Sequence, residues 1–364
     1  MGEILLKLFT AGPVACYPEV LKAMGMQMVS HRSAEYKKLH VETVEMLQRF
    51  MGTQNEVFLF SSTGSGFMEA SVLNCVNKKM LSCICGNFGE RFAETGTANG
   101  KQVEPLEVPL GEPITPDLLD EKLSQTKDVE AVSVTHNETS VGLMNHLAEL
   151  AGVVKSHGKL LLVDCVSSMG GTRIDVDKWG LDVCFSSSQK CFGVPPGLSV
   201  GSVSKDALKA SETAKNKGWY FDFKVWEKYQ QKKGTPMTST IPQIAGLHAI
   251  LDVIEKNGGK QWFFDLYAER NRRIREGIQK LGLTMFPKSG YESPTVNCVN
   301  APPGVDGVAV YEKMRDEGFE LAKGYGSIQN ATFRIGNMGY MPFETIDSML
   351  ESLAGVLSGL GWSI

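Results

Sequence analysis

The chain has 364 residues, with 37 Lys and Arg against 41 Asp and Glu, so its formal net charge is −4. This near balance excludes a strongly basic nucleic-acid-binding protein and an acidic, disordered tail. Hydrophobic residues make up 42% of the chain and charged residues only 21%, which indicates a globular protein with at least one large core. At roughly 150 residues per domain, this length suggests about two domains, and a single large α/β unit with an appended lobe fits equally well.

The cysteines and the N-terminal stretch bear on the compartment. Eight cysteines are dispersed along the chain without a C-x-x-C spacing. We therefore expect reduced thiols and no metal site, and we assign none of the six histidines to a metal. The first residues, MGEILLKLFTAGPV, are interrupted by Glu3 and Lys7 and are too short an apolar run for a signal peptide or a membrane span. These features predict a cytoplasmic protein.

Short apolar runs alternate with longer amphipathic stretches from Val57 to Val203. In chain order they read VFLF, FMEASVLNCVNK, MLSCICG, NFGERFAETGTANG, AVSVTH, LAELAGVVKSHG, KLLLVDCVSS, LDVCFSSS and LSVGSVS. Such alternation predicts an α/β fold in which a mostly parallel sheet is covered by helices on both faces.

The remainder of the chain predicts a second, smaller lobe. Residues 232–242 are rich in Gly, Pro, Ser and Thr, as linkers are. Two long helical patterns follow, and then helices mixed with short strands such as TVNCVNA and ATFRIG. We predict an N-terminal segment over residues 1–20, a large domain over 21–250 and a small α+β domain over 251–364.

The stretch SSTGSGFMEA, residues 61–70, follows the first strand of the alternation and opens a helix. Glycines let backbone N–H groups converge, and a helix N-terminus favours an anion, so this turn could cradle a phosphate. It is not a P-loop, because no Gly-Lys-Ser/Thr follows. A simple helix-capping turn is an equally good interpretation of this stretch alone.

Asp164 and Lys190 each follow a predicted strand of the same sheet. Asp164 ends the apolar run KLLLVD, where a carboxylate needs a cationic or N–H partner, although it could also cap a helix. Lys190 follows LDVCF in the stretch SSSQK, where partial desolvation would favour a Schiff base, although most lysines are solvated. A phosphate cradle, a buried carboxylate and such a lysine, in this chain order, meet the requirements of pyridoxal phosphate chemistry.

The segment VDCVSSMGG…SSSQKCFGVPPGLSV, with TGSGFMEA and CGNFGERF upstream, resembles the class V aminotransferases of fold type I. It is most similar to the alanine–glyoxylate, serine–glyoxylate and serine–pyruvate aminotransferases. The resemblance extends from Ala11-Gly12-Pro13 to Phe333-Arg334-Ile335-Gly336. It implies a large domain with a seven-stranded, mostly parallel sheet between helices, a smaller C-terminal domain, and pyridoxal 5′-phosphate as cofactor.

The resemblance also implies residue roles. Lys190 would form the internal aldimine and act as general base, and Asp164 would pair with the pyridine nitrogen, so that the ring becomes an electron sink. Further cofactor-binding residues are Ser65, Gly66, Phe67 and Gln189 at the phosphate, Phe88 and Val166 on the two faces of the ring, Thr139 beside O3′, and Thr240 from the neighbouring subunit. Arg334 would bind the substrate carboxylate, and Gly12 belongs to the substrate site.

A shared active site implies a homodimer. Met237 stands where relatives often have a tyrosine that contacts the phosphate. The pair His31-Arg32 resembles a stretch near the active-site entrance. No nucleic-acid or membrane partner is expected.

The function that these residues favour is transamination between alanine or serine and glyoxylate or pyruvate, in ping-pong half-reactions through the Lys190 aldimine. An aspartate or phosphoserine aminotransferase stays open, because His31 or Arg32 could bind an acidic side chain. A cysteine desulfurase is disfavoured, since such enzymes usually carry a histidine where Gln189 stands. From a different class, a non-catalytic doubly wound nucleotide-binding protein is the alternative.

Overall fold

The computed structural model describes residues 6–362. The ends of the predicted N-terminal segment and small domain, residues 1–5 and 363–364, lie outside the described residues. The strands are β1 (Lys7–Leu8), β2 (Glu56–Phe60), β3 (Lys79–Ile84), β4 (Gln102–Glu107), β5 (Ala131–Thr135), β6 (Asn137–Glu138), β7 (Leu143–Met144), β8 (Leu160–Asp164), β9 (Val183–Ser187), β10 (Ser199–Val203), β11 (Val296–Asn300), β12 (Phe319–Glu320), β13 (Ala322–Lys323) and β14 (Thr332–Gly336). The α-helices are α1 (Pro18–Met24), α2 (Ala34–Met51), α3 (Gly64–Cys75), α4 (Asn87–Ala98), α5 (Pro116–Gln125), α6 (Leu147–Ser156), α7 (Val176–Trp179), α8 (Lys205–Thr213), α9 (Phe223–Gln230), α10 (Ile241–Lys256), α11 (Gly259–Lys280), α12 (Gly307–Asp316) and α13 (Phe343–Gly359), and a 3₁₀ turn spans Gly326–Ile328.

A seven-stranded sheet in the order β2-β10-β9-β8-β5-β3-β4 forms the centre of the larger part. Its inner strands β5, β9 and β10 are buried along their whole length, as strands covered on both faces must be. Only β10 runs antiparallel to its neighbours β2 and β9. The reason is its connection: residues 188–198 are too few for the crossover of about a dozen residues or more that a parallel pair requires.

The edge strand β4 is not apparent from the apolar pattern. Its sequence, QVEPLE, alternates between half-buried and exposed positions and contains Pro105. Proline has no N–H to donate to a ladder, so an edge is the place in a sheet where it is tolerated. Polar residues at such an edge also prevent pairing with another chain.

A three-stranded antiparallel sheet, β11-β14-β13, belongs to the C-terminal part. Its apolar residues share one core cluster with residues of α11, α12 and α13. The N-terminal strand β1 pairs with β12 of this part rather than with the large sheet. The domain boundaries near residues 20 and 250 stay predictions. No helix within residues 6–362 is long and apolar enough to cross a membrane.

The ring of Phe67, on α3, lies directly over Gly201 of β10. A Cβ at Gly201 would lie 2.4 Å from Cζ of Phe67, which is closer than any real contact. We expect Gly201→Ala to lower the free energy of unfolding by about 1–3 kcal/mol, because the ring must shift within a filled core. As a control, Gly355→Ala in α13 meets no atom within 4 Å and should raise stability by up to about 1 kcal/mol. Urea unfolding measures both, and equal changes would contradict this packing.

Candidate active site

The residues that the sequence singles out lie where neighbouring parallel strands end. Asp164 is the last residue of β8, and Lys190 follows β9 by three residues. Thr139 comes shortly after β5, and Phe88 is the second residue of α4, which follows β3. In open α/β sheets this carboxyl edge is the usual place for a ligand. The sheet therefore gathers these side chains at one cleft.

Lys190 points its amine at the N-terminal segment. Its Nζ donates a hydrogen bond to the carbonyl oxygen of Ala11. A Cβ at Gly12 would lie 2.7–2.9 Å from the end of the lysine side chain, so only glycine leaves it room. Burial lowers the pKa of Lys190 to about 8, and the positive charges of Arg334 and Arg91 act in the same direction. A substantial fraction of neutral, nucleophilic amine is therefore present at neutral to mildly alkaline pH.

Asp164 is a buried carboxyl, 5% exposed, and forms no salt bridge within residues 6–362, although the charges of Lys190 and Arg91 act on it. Its Oδ1 accepts the N–H of Val166 at 2.8 Å. The next helix, α7, begins only at Val176, so Asp164 does not cap a helix as the alternative interpretation had it. Burial raises the pKa of Asp164 to about 6, and the negative charge of Glu138 adds to the rise. A cation beside this carboxylate would therefore be strongly stabilised.

The turn at residues 61–70 is hydrogen-bonded to the segment that leads to Lys190. Gly64, the first residue of α3, donates its N–H to Oγ of Ser187 at 3.2 Å, and that hydroxyl donates to Oε1 of Gln189 at 2.6 Å. No side chain caps the helix at Thr63. The first turn of α3 thus keeps N–H groups for an anion, at a place that the Gln189 side chain also approaches.

Three predicted members of this turn lie at different depths. Ser65 is exposed and Gly66 is half-buried, at the open end of α3. A Cβ at Gly66 would lie 2.7 Å from the side chain of Ser62, so the backbone is closely folded there. The Phe67 side chain, in contrast, is fully buried in the core. Only its main chain can contribute to a phosphate site.

Arg334 on β14 brings the C-terminal part to the same cleft. It is 8% exposed, and burial lowers its pKa. Nε donates to the carbonyl of Lys323 at 2.9 Å and Nη1 to the carbonyl of Thr139 at 2.8 Å. The ring of Tyr325 stacks on the guanidinium at 5.5 Å. The guanidinium is thus fixed on one edge, and Nη2 remains for a substrate carboxylate.

The contacts of three further residues are compatible with the predicted positions around the cofactor ring, namely Phe88, Val166 and Thr139. Phe88 is half-buried, with the guanidinium of Arg91 4.9 Å from its ring centre. Val166 is also half-buried, and its Cγ2 lies against Gly64. The hydroxyl of Thr139 hydrogen-bonds that of Ser167 at 2.8 Å.

Thr240 contacts the end of β2 within its own chain. Its N–H donates to Oγ of Ser61 at 3.1 Å, and its hydroxyl donates to the carbonyl of Gly197 at 3.4 Å. Upstream of it, Arg32 donates from Nη1 to the carbonyl of Thr235 at 2.7 Å and from Nη2 to that of Pro236 at 3.2 Å. Arg32 therefore holds the loop that precedes Thr240. The delivery of Thr240 to a neighbouring subunit stays a prediction.

Sequence reasoning missed two charged residues of this cleft, Glu138 and Arg91. Glu138 is fully buried and accepts backbone N–H groups from Phe88 and Gly89 at 3.0 Å each. The positive charge of Arg91 acts on both Asp164 and Lys190. A glutamate two residues after the buried run AVSVTH was an available signal for the first. Among the described residues, no group of three His, Cys, Asp or Glu side chains could hold a metal ion.

The family model for class V aminotransferases matches residues 14–348. The chain belongs to the class V aminotransferases. It is therefore a pyridoxal phosphate-dependent transaminase, and the expected fold type I architecture is confirmed by the solved structures of this group.

Similar proteins act on glyoxylate according to their names. An L-aspartate–glyoxylate aminotransferase of Paracoccus denitrificans is 30% identical, covering 98% of this chain and 92% of the relative. A serine–glyoxylate aminotransferase of Methylorubrum extorquens is 30% identical, covering 98% of this chain and 90% of the relative. The crystal structure of an alanine–glyoxylate aminotransferase from Nostoc sp. has a TM-score of 0.92 at 29% identity, covering 97% of this chain and 95% of the other.

The residues of this cleft fit pyridoxal phosphate. The buried Asp164 carboxylate forms no salt bridge with the described side chains, and a protonated pyridine nitrogen would supply a cation in direct contact. In the first turn of α3 the N–H of Gly64 donates to Ser187 and that of Gly66 to the Thr63 carbonyl, but the Thr63 side chain takes none, so the helix N-terminus still suits a phosphate. The lowered pKa of Lys190 suits covalent attachment of an aldehyde. These three requirements are chemically independent, and one cleft meets all of them.

The raised pKa of Asp164 predicts a pH-dependent gain in stability for Asp164→Asn in the apoprotein. The folded carboxyl has a pKa of about 6 against 3.8 for the free side chain, so the folded state binds this proton more tightly than the unfolded chain does. Stability from this group is therefore present below pH 4 and is lost as the pH rises through about 6. The loss amounts to about 3 kcal/mol at pH 8.

Urea unfolding of apo wild type and apo Asp164→Asn from pH 4 to pH 8 measures this effect. The two should be similar at pH 4, and the variant should become the more stable one as the pH rises. The amide keeps an oxygen for the Val166 N–H, so the local hydrogen bond survives. A stability difference that is constant across this range would contradict the argument.

Proposed function

We propose that this enzyme transfers the amino group of alanine or serine to glyoxylate or pyruvate, in two successive half-reactions. The observation that carries the proposal is the meeting of Lys190, Asp164 and Arg334 at one cleft. Glyoxylate is favoured as acceptor, since it is the partner substrate in the names of all three relatives above, whereas their amino donors differ.

Lys190 is proposed to carry the cofactor and to move the proton of the donor Cα. When bound, pyridoxal phosphate supplies an aldehyde that accepts the amino group and a ring that takes up the electron pair of the Cα–H bond. The Lys190 amine, freed when the donor replaces it, is the base for that proton. A pKa of about 8 suits this task, because a base works best when its pKa lies near the operating pH.

Asp164 and Arg334 are proposed to hold charges of opposite sign. The Asp164 carboxylate keeps a proton on the ring nitrogen, which strengthens the ring as an electron sink. Arg334 binds the α-carboxylate shared by amino acids and 2-oxo acids, so the same guanidinium serves both half-reactions. Its bonds to the carbonyls of Lys323 and Thr139 fix the substrate orientation.

The remaining cofactor contacts are proposed as the sequence implies them. Ser65, Gly66, the main chain of Phe67, and Gln189 would bind the phosphate, and Thr240 would reach it from the second subunit of a homodimer. Phe88 and Val166 would enclose the ring, with Thr139 beside O3′ and Gly12 beside the substrate. A cytoplasmic location is part of the same proposal.

An acidic amino donor is the second candidate, and Arg91 is the observation that favours it. Its guanidinium forms no salt bridge within residues 6–362, although its charge acts on Lys190 and Asp164. Arg32, which with His31 was one of two side chains that could bind an acidic donor, donates to two main-chain carbonyls. The engagement of Arg32 by main-chain carbonyls supports a neutral donor. Aspartate is still included in the test below, because one relative is named an L-aspartate–glyoxylate aminotransferase.

A desulfurase needs a nucleophilic thiolate, and the cysteines near this cleft do not provide one. Burial raises the pKa of Cys191 to about 12 and that of Cys298 to about 11. Both are fully buried. Such thiols remain protonated at neutral pH and behave as small apolar side chains.

The half-reaction with single amino donors tests the proposal. We expect alanine or serine to bleach the visible band of the cofactor-loaded enzyme, and glyoxylate to restore it. Bleaching by aspartate or phosphoserine alone would support the second candidate instead. No bleaching by any of the four would contradict transamination of these donors.

In the same assay, Arg334→Lys should need about 30- to 1000-fold more donor, because it loses about 2–4 kcal/mol of carboxylate binding. The rate with a small amine that lacks a carboxylate is the control and should be unchanged. A similar loss for that amine would mean that Arg334 is needed for the fold of the cleft rather than for the carboxylate.

A further inference from the structure

Glu138 is a fully buried carboxylate with four hydrogen-bond donors around it. Oε2 accepts the N–H groups of Phe88 and Gly89, each at 3.0 Å. Oε1 accepts the N–H of Ser140 at 3.1 Å and its hydroxyl at 2.5 Å. Burial raises its pKa, and these four donors all act to lower it. Since every donor points at an oxygen, the side chain acts purely as an acceptor, as an ionised carboxylate does.

The donors belong mainly to the first turn of α4. Gly86 precedes this helix and has no side chain to cap it. Glu138 takes the next two N–H groups after Asn87, and Ser140 Oγ takes that of Asn87 itself at 3.1 Å. A Cβ at Gly86 would lie 2.5 Å from Cγ of Glu138, so the glycine leaves just enough room for the carboxylate. Glu138 therefore caps the helix that begins at Asn87, far earlier in the chain, and its charge opposes the positive end of the helix dipole.

Glu138 lies in the short hairpin that β6 and β7 form, and this hairpin also carries Thr139. Thr139 lies between Glu138 and Ser140, and its carbonyl accepts Nη1 of Arg334 at 2.8 Å. The Glu138 charge is felt at both Asp164 and Arg334. One carboxylate thus connects the helix that presents Phe88, the loop that presents Thr139 and, through that loop, the carboxylate-binding arginine.

We propose that Glu138 is a positioning residue: its carboxylate holds the N-terminus of α4, and with it Phe88, against the Thr139 loop, and so fixes the geometry in which the cofactor ring and the substrate carboxylate are bound. The inference rests on the proposed function and names a residue that the family resemblance did not assign. Both oxygens of Glu138 are taken by Phe88, Gly89 and Ser140, so it acts through these neighbours.

Glu138→Gln tests this role, with Glu90→Gln as the matched control. The amide keeps the size of the side chain, but its nitrogen donates, so one pair of donors loses its acceptor. Glu90 lies in the same first turn of α4, is exposed, and accepts from neither Phe88 nor Gly89. Both variants remove one negative charge beside the same helix terminus.

In Glu138→Gln we expect the dissociation constant of pyridoxal phosphate and the donor KM each to rise at least about ten-fold, because two buried donors lose a charged acceptor. We also expect the circular dichroism of the cofactor band, per bound cofactor, to fall, because the ring is held less rigidly. Glu90→Gln should leave all three unchanged. A Glu138→Gln enzyme that matches Glu90→Gln, or that loses only resistance to urea, overturns the inference.

If Glu138→Gln does not fold, Glu138→Asp decides by the same three measurements, since it keeps the charge and shortens the reach by one methylene. Values equal to those of Glu90→Gln overturn the inference in that variant too. Failure of the proposed function is a separate outcome, because it is read in the wild type: a wild-type enzyme that binds pyridoxal phosphate but converts no amino donor overturns the function first, and this inference with it.

Discussion

The structure depends on the burial of two opposite charges, those of Lys190 and Asp164, at the carboxyl edge of one sheet. Loss of water moves both pKa values toward neutrality, to about 8 for the lysine and about 6 for the aspartate. Each charge partly compensates the other, yet neither has a full partner among the described residues. A ligand with a basic ring nitrogen for Asp164 and an aldehyde for Lys190 would satisfy both groups. The burial that destabilises their charges is therefore also what makes them reactive.

Main-chain carbonyls hold the two cations of the cleft, Lys190 and Arg334, in place. Lys190 is held by the Ala11 carbonyl, and Arg334 by the carbonyls of Lys323 and Thr139. Gly12 permits the first of these contacts because no Cβ could lie beside the lysine. Neutral acceptors orient a cation without cancelling its charge, so the cleft stays able to bind an anionic substrate.

The alternation of apolar runs was enough to predict the sheet, because buried parallel strands need continuous apolar sequence. It did not predict β4, whose polar, proline-containing sequence suits only an edge, and it did not predict the direction of β10, which depends on the length of the loop before it. Asp164 and Lys190 were identifiable because Asp164 ends one apolar strand and Lys190 comes shortly after the end of the next. The role of Arg32 was not, because its partner Thr235 lies 203 residues away. Contacts of that kind depend on packing and leave no local pattern in the sequence.

The most direct test is to locate the covalent bond between pyridoxal phosphate and Lys190. The cofactor-loaded enzyme would be reduced with borohydride and digested, and the modified peptide mapped by mass spectrometry. We expect a single pyridoxyl adduct on Lys190, and no adduct in Lys190→Ala. An adduct on any other lysine, or the absence of any adduct in the wild type, would contradict the account.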